Sequence, residues 1–129
     1  MSTMKDLKTL TKAEDQVMQI LWQIERGVVK DIIEKMSKPK PAYNTVSTII
    51  RILETKGFVG HKAYGKTHEY FPLVTKARYS KFFFNNMLNG YFNGSFNNLV
   101  SFFAKENQLD IRDIDNLMKH LENIKREKS

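Results

Sequence analysis

Apolar residues recur at helical spacing through the first part of the chain, alternate over a short middle stretch, and return to helical spacing towards the end. Thr11 and, three residues on, Glu14 have the form of a capping box, and Ala13, Val17, Ile20, Leu21 and Ile24 then repeat on one face, predicting a first helix that Gly27 closes. Trp22 lies off that stripe and is expected to be a core residue shared between helices. Val28 and Val29 suit a short strand or a tight entry, and Lys30 to Met36 predicts a short second helix with Ile32, Ile33 and Met36 inward. Pro39 and Pro41 bracket the next turn. Pro41 holds Lys40 extended, so a third helix is expected to start near Ala42. At about 100° per residue, Val46, Ile49, Ile50 and Leu53 share a narrow arc on it. Gly57 follows Lys56 where a C-cap belongs. Phe58 to Ala63 and His68 to Leu73 then read as two strands joined through Tyr64, Gly65, Lys66 and Thr67, with Gly65 supplying the positive φ of a tight hairpin.

Beyond Val74 the β-alternation stops. One helix is expected from about Thr75 to Asn89 and another from about Ser95 to Glu106, with breaks at Gly90 and Gly94. A third opens at Asp110 as N-cap, with Asp113 placing a negative charge in its first turn. Its stripe of Ile111, Ile114, Leu117, Met118, Leu121 and Ile124, added to Tyr79, Phe82, Phe83, Phe92, Phe96, Leu99, Phe102 and Phe103, is more apolar surface than a small lobe buries alone. Two readings stand: an intramolecular aromatic core, or burial between two copies, for which two-fold symmetry is the commonest form. On the second, Tyr79, Phe82, Phe83, Leu99, Phe103, Ile111, Ile114, Leu117, Met118, Leu121 and Ile124 are the dimerisation residues. The fold class is mainly α with a small antiparallel β-hairpin: a winged helix-turn-helix domain over residues 1–74, followed by a three-helix dimerisation lobe over 75–129.

The arc opposite the apolar face of the third helix collects Asn44, Ser47, Thr48, Arg51 and Thr55. Ordinary solvated helix faces carry Lys and Glu at i, i+4 spacing, and this one has neither at its centre. Short hydroxyls and an amide around one guanidinium let a backbone approach a duplex while donors and acceptors reach base edges and phosphates. Charge sharpens the reading. The chain carries a net +7, and between Lys35 and Lys66 seven basic residues face a single acid, Glu54. Lys62, Tyr64, Lys66 and His68 are expected to cluster at the wing tip, and with Tyr43, Asn44, Thr45, Ser47, Thr48, Arg51 and Thr55 they form the expected DNA-binding set. A protein-interaction module, or DNA binding without sequence preference, is the alternative function.

Hydrophobic content of 41% and aromatic content of 12% suffice for a packed core, so global disorder is not expected. There is no cysteine, which removes disulfides, thiolate metal sites and cysteine nucleophiles together. His61, His68 and His120 are the only histidines; His61 and His68 can face each other across the hairpin, but two ligands without a nearby acid make a poor metal site. No carboxylate pair, phosphate loop or nucleophile motif accompanies them, so no enzyme, metal or cofactor is expected. The N-terminal MSTMKDLKTL has no apolar core segment and the longest apolar run, Phe82 to Phe84, is far too short for a bilayer. The expectation is a cytoplasmic protein without membrane insertion, in which the Asn93-Gly94-Ser95 sequon is chance.

Three ordered segments, LTKAEDQVMQILW (Leu10 to Trp22), YNTVSTIIRILETKGFV (Tyr43 to Val59) and EYFPLV (Glu69 to Val74), resemble the penicillinase-repressor family of bacterial transcription factors, of BlaI/MecI type. The likeness continues more weakly through NGSFNNLVSFFAKENQL (Asn93 to Leu109), so it spans nearly the whole chain. It implies a homodimeric repressor: a winged helix on a dyad-symmetric double-stranded DNA operator, and a three-helix lobe that dimerises. Thr45, Ser47, Thr48 and Arg51 stand where that family's helix meets DNA. The resemblance also implies a membrane sensor peptidase as partner, cutting an Asn-Phe bond in the dimerisation lobe. Here Phe102 stands in the place of the Asn, and Phe102–Phe103 is the candidate cleavage bond. Copper-responsive relatives use C-terminal cysteines, which this chain lacks.

Overall fold

The computed structural model describes residues 7–106 and 110–128. The described residues form α1 (Lys12–Ile24), α2 (Val29–Glu34), α3 (Tyr43–Thr55), β1 (Val59–Tyr64), β2 (Thr67–Pro72), α4 (Lys76–Tyr91), α5 (Phe96–Lys105) and α6 (Ile111–Lys128). Two compact units divide at Phe83 and Phe84, inside α4.

In the first unit the capping box is formed: Glu14 N donates to Thr11 Oγ1 at 3.2 Å and Thr11 N to Glu14 Oε1 at 2.9 Å. The stop of α1 differs from expectation. Glu25, at φ 73°, ends the helix with its N–H on Leu21 O, and Gly27 instead exchanges both backbone hydrogen bonds with Tyr70, at 3.0 and 2.8 Å. That bridge is the short extended segment expected at Val28 and Val29, displaced by one residue, and Val29 opens α2. Lys40 Nζ donates to the carbonyls of Ile33, Glu34 and Met36 and closes the C-terminal end of α2. Gly57 follows α3 at φ 85°, as a left-handed C-terminal residue must. In the hairpin Gly65 alone of the two central turn residues has positive φ, at 64°, the pattern of a type II′ turn.

The core gathers Val17, Met18 and Leu21 of α1, Ile32 of α2, Val46, Ile50 and Leu53 of α3, and Phe58 and Val59 at the start of the hairpin. Trp22 packs against it as expected of a shared core residue, donating Nε1–H to Val74 O at 2.9 Å. Tyr79, expected at a dimer surface, belongs to this core instead, and Phe82, expected there too, is half-buried against it. Tyr79 is 7% exposed, its ring lies 6.0 Å from Trp22 and 5.8 Å from Phe58, and its hydroxyl accepts Leu10 N–H at 2.9 Å. A buried phenol needs a polar partner, and the free N–H just before α1 supplies it. The first unit therefore extends past the junction expected at Val74.

One carboxylate is buried in this unit. Lys56 Nζ donates to Glu14 Oε1 at 3.0 Å and Oε2 at 2.8 Å. Burial pushes the Glu14 carboxyl up, but the Lys56 ammonium and the Thr11 N–H and hydroxyl outweigh it and hold it below its usual value of 4.5. The stability this pair contributes is complete above about pH 4.5 and fades as pH falls through the lower folded value. Replacing Lys56 by Met leaves the carboxylate buried without its cation. Thermal unfolding from about pH 3 to pH 7 should show a loss of about 1–3 kcal/mol for Lys56→Met at neutral pH, together with a flatter acid-side slope. An unchanged slope would exclude this role for the pair.

In the second unit Gly90 lies within α4 and breaks nothing; the turn is made by Asn93 and Gly94, at φ 52° and 74°. Ser95 caps α5 by accepting from Asn98 N at 3.1 Å. Asp110 and Asp113 cap α6 reciprocally, at 3.2 and 2.9 Å, as their spacing implies. Leu88 and Leu99 are buried, while Phe84 with Phe96 and Phe92 with Phe102 pair at 6.1 and 5.8 Å. No residue of α6 is buried: Ile111 is 79% exposed, Ile114 36%, Met118 61% and Leu121 45%.

Candidate nucleic-acid interface

Helix α3 leads directly into the hairpin, with β1 starting four residues after the helix ends. Tyr43, Asn44, Thr45, Thr48, Arg51 and Thr55 are exposed along α3. The Thr48 and Thr55 hydroxyls donate to the carbonyls one turn back, at 2.8 and 3.0 Å on Asn44 O and Arg51 O, which leaves their methyl groups and remaining lone pairs available on the surface. Ser47 departs from the expected set. It is 7% exposed, and its Oγ accepts from Arg51 Nη2 at 3.2 Å, so it orients the guanidinium from beneath.

Lys8, Thr48, Arg51, Ile52, Thr55 and Lys56 line a shallow open depression of about 440 Å³ beside this face. Lys8 is outside the expected set, because a lone lysine ahead of α1 has no periodic signal; only the fold brings it to α3. Two of the seven basic residues counted between positions 35 and 66 are committed internally, Lys40 to the end of α2 and Lys56 to Glu14.

At the hairpin the register pairs Lys62 with Glu69 and Tyr64 with Thr67 on one face, and His61 with Tyr70 and Ala63 with His68 on the other. The four expected wing residues are all exposed but do not form one cluster. Lys62 Nζ lies 5.4 Å from the centre of the Tyr64 ring, Lys66 occupies the turn, and His68 is on the opposite face. There His61 and His68 stack with ring centres 4.3 Å apart and planes 12° from parallel, and His61 Nδ1 meets Glu54 Oε2 of α3 at 2.5 Å. Burial, and then the Glu54 charge, push the neighbouring Tyr70 hydroxyl above its usual value of 10.0. Among the described residues no three His, Cys, Asp or Glu stand where they could hold a metal ion.

The family model described as penicillinase repressor matches residues 10–123. The chain belongs to the penicillinase repressor family. Of its relatives, the penicillinase repressor of Bacillus licheniformis is 28% identical over 97% of this chain and 98% of its own length. The methicillin resistance regulatory protein MecI of Staphylococcus aureus (strain N315) is 30% identical over 84% of this chain and 89% of its own. Two solved structures are also similar, each at 25% identity. They are the solution structure of the DNA-binding domain of the repressor BlaI, with a TM-score of 0.49 over 55% of this chain and 88% of that one, and the monomeric Bacillus licheniformis BlaI in complex with the blaP half-operator, with 0.47 over 56% and 89%. In this member of the penicillinase repressor family no helix among the described residues is long and apolar enough to cross a membrane.

Proposed function

We propose that this chain is a DNA-binding transcriptional repressor that acts as a homodimer on a dyad-symmetric operator. The observation that carries the reading is the exposed face of α3, short polar side chains around Arg51 and next to a basic hairpin, in a chain of this family. Thr45, Thr48 and Asn44 present hydroxyls and an amide to a major groove, Arg51 is held in position by Ser47, and Lys62, Tyr64 and Lys66 meet adjacent phosphates. The unburied stripe on α6 supports dimerisation. A dimer would set two copies of α3 into successive major grooves, about one helical turn or roughly 34 Å apart. One copy with a few phosphate contacts binds weakly at physiological salt; joining two raises the effective concentration of the second. Occupancy then blocks a promoter.

Relief by a membrane sensor peptidase is a further part of this proposal. Phe102 and Phe103 lie within α5, both about half exposed, and cutting between them would sever α6 from the rest of the chain. A peptidase needs that turn of α5 unwound, and Phe102 in place of Asn calls for a partner that accepts an aromatic residue before the bond.

Capture of genomic DNA by the purified protein, followed by footprinting at fixed salt, tests the reading. A protected palindrome over a promoter supports it; salt-sensitive binding without sequence preference defeats the operator. On the operator, Arg51→Ala should cost about 1–3 kcal/mol and relax specificity at one base pair, whereas Lys66→Ala should weaken operator and random DNA alike and lower the salt slope by about 1. Equal losses on both DNAs for Arg51→Ala would remove its base-reading role.

A further inference from the structure

One side-chain contact joins the reading helix to the wing and a ring stack continues it within the wing; of these residues only His68 is in the expected DNA-contacting set. Glu54, in the last turn of α3, faces inward from the polar arc and meets His61 of β1. His61 in turn stacks on His68 of β2, and Tyr70 closes the group with its ring 5.8 Å from His61 and 6.2 Å from His68. We propose that Glu54 and His61 are positioning residues, a clasp that fixes the wing against α3 and makes DNA affinity follow the protonation of His61. The proposal rests on the DNA-binding reading given above.

A two-stranded hairpin is marginal on its own, and here only its base is buried, at Val59 and Tyr70, while residues 61–68 are exposed. The Gly27–Tyr70 bridge holds β2 at that base. Above that base, Glu54–His61 joins the last turn of α3 to the exposed part of β1. Histidine is the side chain that changes charge near neutral pH. A proton on His61 turns the Glu54 hydrogen bond into an ion pair and tightens the clasp. The charged and titratable groups around the pair are Glu54, Arg51 and Tyr43 on α3, the last two acting at Tyr70, and His68 and Tyr70 on β2. Glu69 is on the other face of the hairpin, opposite Lys62 and 3.8 Å from Arg26. The clasp therefore works in one direction: the proton that tightens it favours the bound arrangement, so affinity rises as pH falls.

The experiment compares the full-length protein with Glu54→Gln, which keeps the shape and removes the charge, and with His61→Gln. Affinity for the operator and for a random duplex is measured from about pH 6 to pH 8 at constant salt, alongside NMR titration of the three histidine rings in the free proteins. The protein should bind about threefold to tenfold more tightly at the lower pH, within the tenfold per pH unit that one linked proton permits, and both substitutions should remove most of that dependence at unchanged thermal midpoint. Parallel pH profiles for the protein and Glu54→Gln overturn the clasp. Should no DNA bind at any pH, the DNA-binding reading fails, and the free-protein titration decides the clasp alone: a His61 curve altered by Glu54→Gln upholds it, and an unaltered curve overturns it.

Discussion

Leu121→Lys is expected to leave a monomer whose operator affinity is lower by about 10²- to 10⁴-fold, the range that loss of a linked second site produces. Ile114, Met118 and Leu121 recur at helical spacing on α6 and all remain exposed in the single chain, with Leu117 and Ile124 half-buried along the same stripe. Burial of such a stripe against its copy contributes about 25 cal/mol for each Å² of apolar surface removed from water, and a lysine at its centre must be desolvated or turned out. Because no residue of α6 is buried in one chain, the substitution should leave the thermal unfolding of the first unit unchanged, which separates lost association from lost folding. Sedimentation and operator titration on the same samples check both halves. A Leu121→Lys protein that stays dimeric, or a monomer that binds the operator undiminished, would sink the proposed mechanism. Leu121→Met, similar in volume and apolar, should behave as the parent protein.

How far the sequence reached depended on how local the cause was. The capping box at Thr11 and Glu14, the glycine stop after α3, the Gly65 turn and the Asp110–Asp113 cap are set by residues within a few positions of each other, and each stands where spacing put it. The departures arise where a distant partner decides. Glu25, at positive φ, makes the helix stop expected of Gly27, whose backbone is claimed by Tyr70, far along the chain. Tyr79 has the look of one more aromatic in an apolar lobe, yet the Leu10 amide and the rings of Trp22 and Phe58 fix it in the first unit. Of the DNA-facing set, helical phase alone placed Ser47 outward; its small side chain tucks under Arg51 and is covered. Position in the chain puts His68 near the wing tip, but strand register turns it to the far face, onto His61. Glu54 was legible only as a stray negative charge in a basic stretch; its partner appears once the hairpin folds back over α3.

Phe58→Ala should cost about 3–5 kcal/mol, lowering the thermal midpoint of the first unit by about 15–30 °C. Its ring is fully buried, 5.8 Å from Tyr79 in an edge-to-face arrangement, so truncation removes apolar contact and an aromatic pair together. The backbone there is equally constrained. Phe58 N donates to Leu53 O at 2.9 Å, and its carbonyl accepts from Leu73 N at 2.8 Å and Val74 N at 3.4 Å, so one residue ties the end of α3 to both ends of the hairpin. A cavity at this junction loosens the register between reading helix and wing before it unfolds the rest. DNA affinity of Phe58→Ala should therefore decline at temperatures below its unfolding midpoint, whereas Phe58→Leu, which retains most of the volume, should lose less than about 1.5 kcal/mol and keep its affinity. Thermal unfolding and operator titration between 10 and 40 °C distinguish them. If Phe58→Ala melts within a few degrees of the parent, the junction is not the keystone that its burial and hydrogen bonds describe.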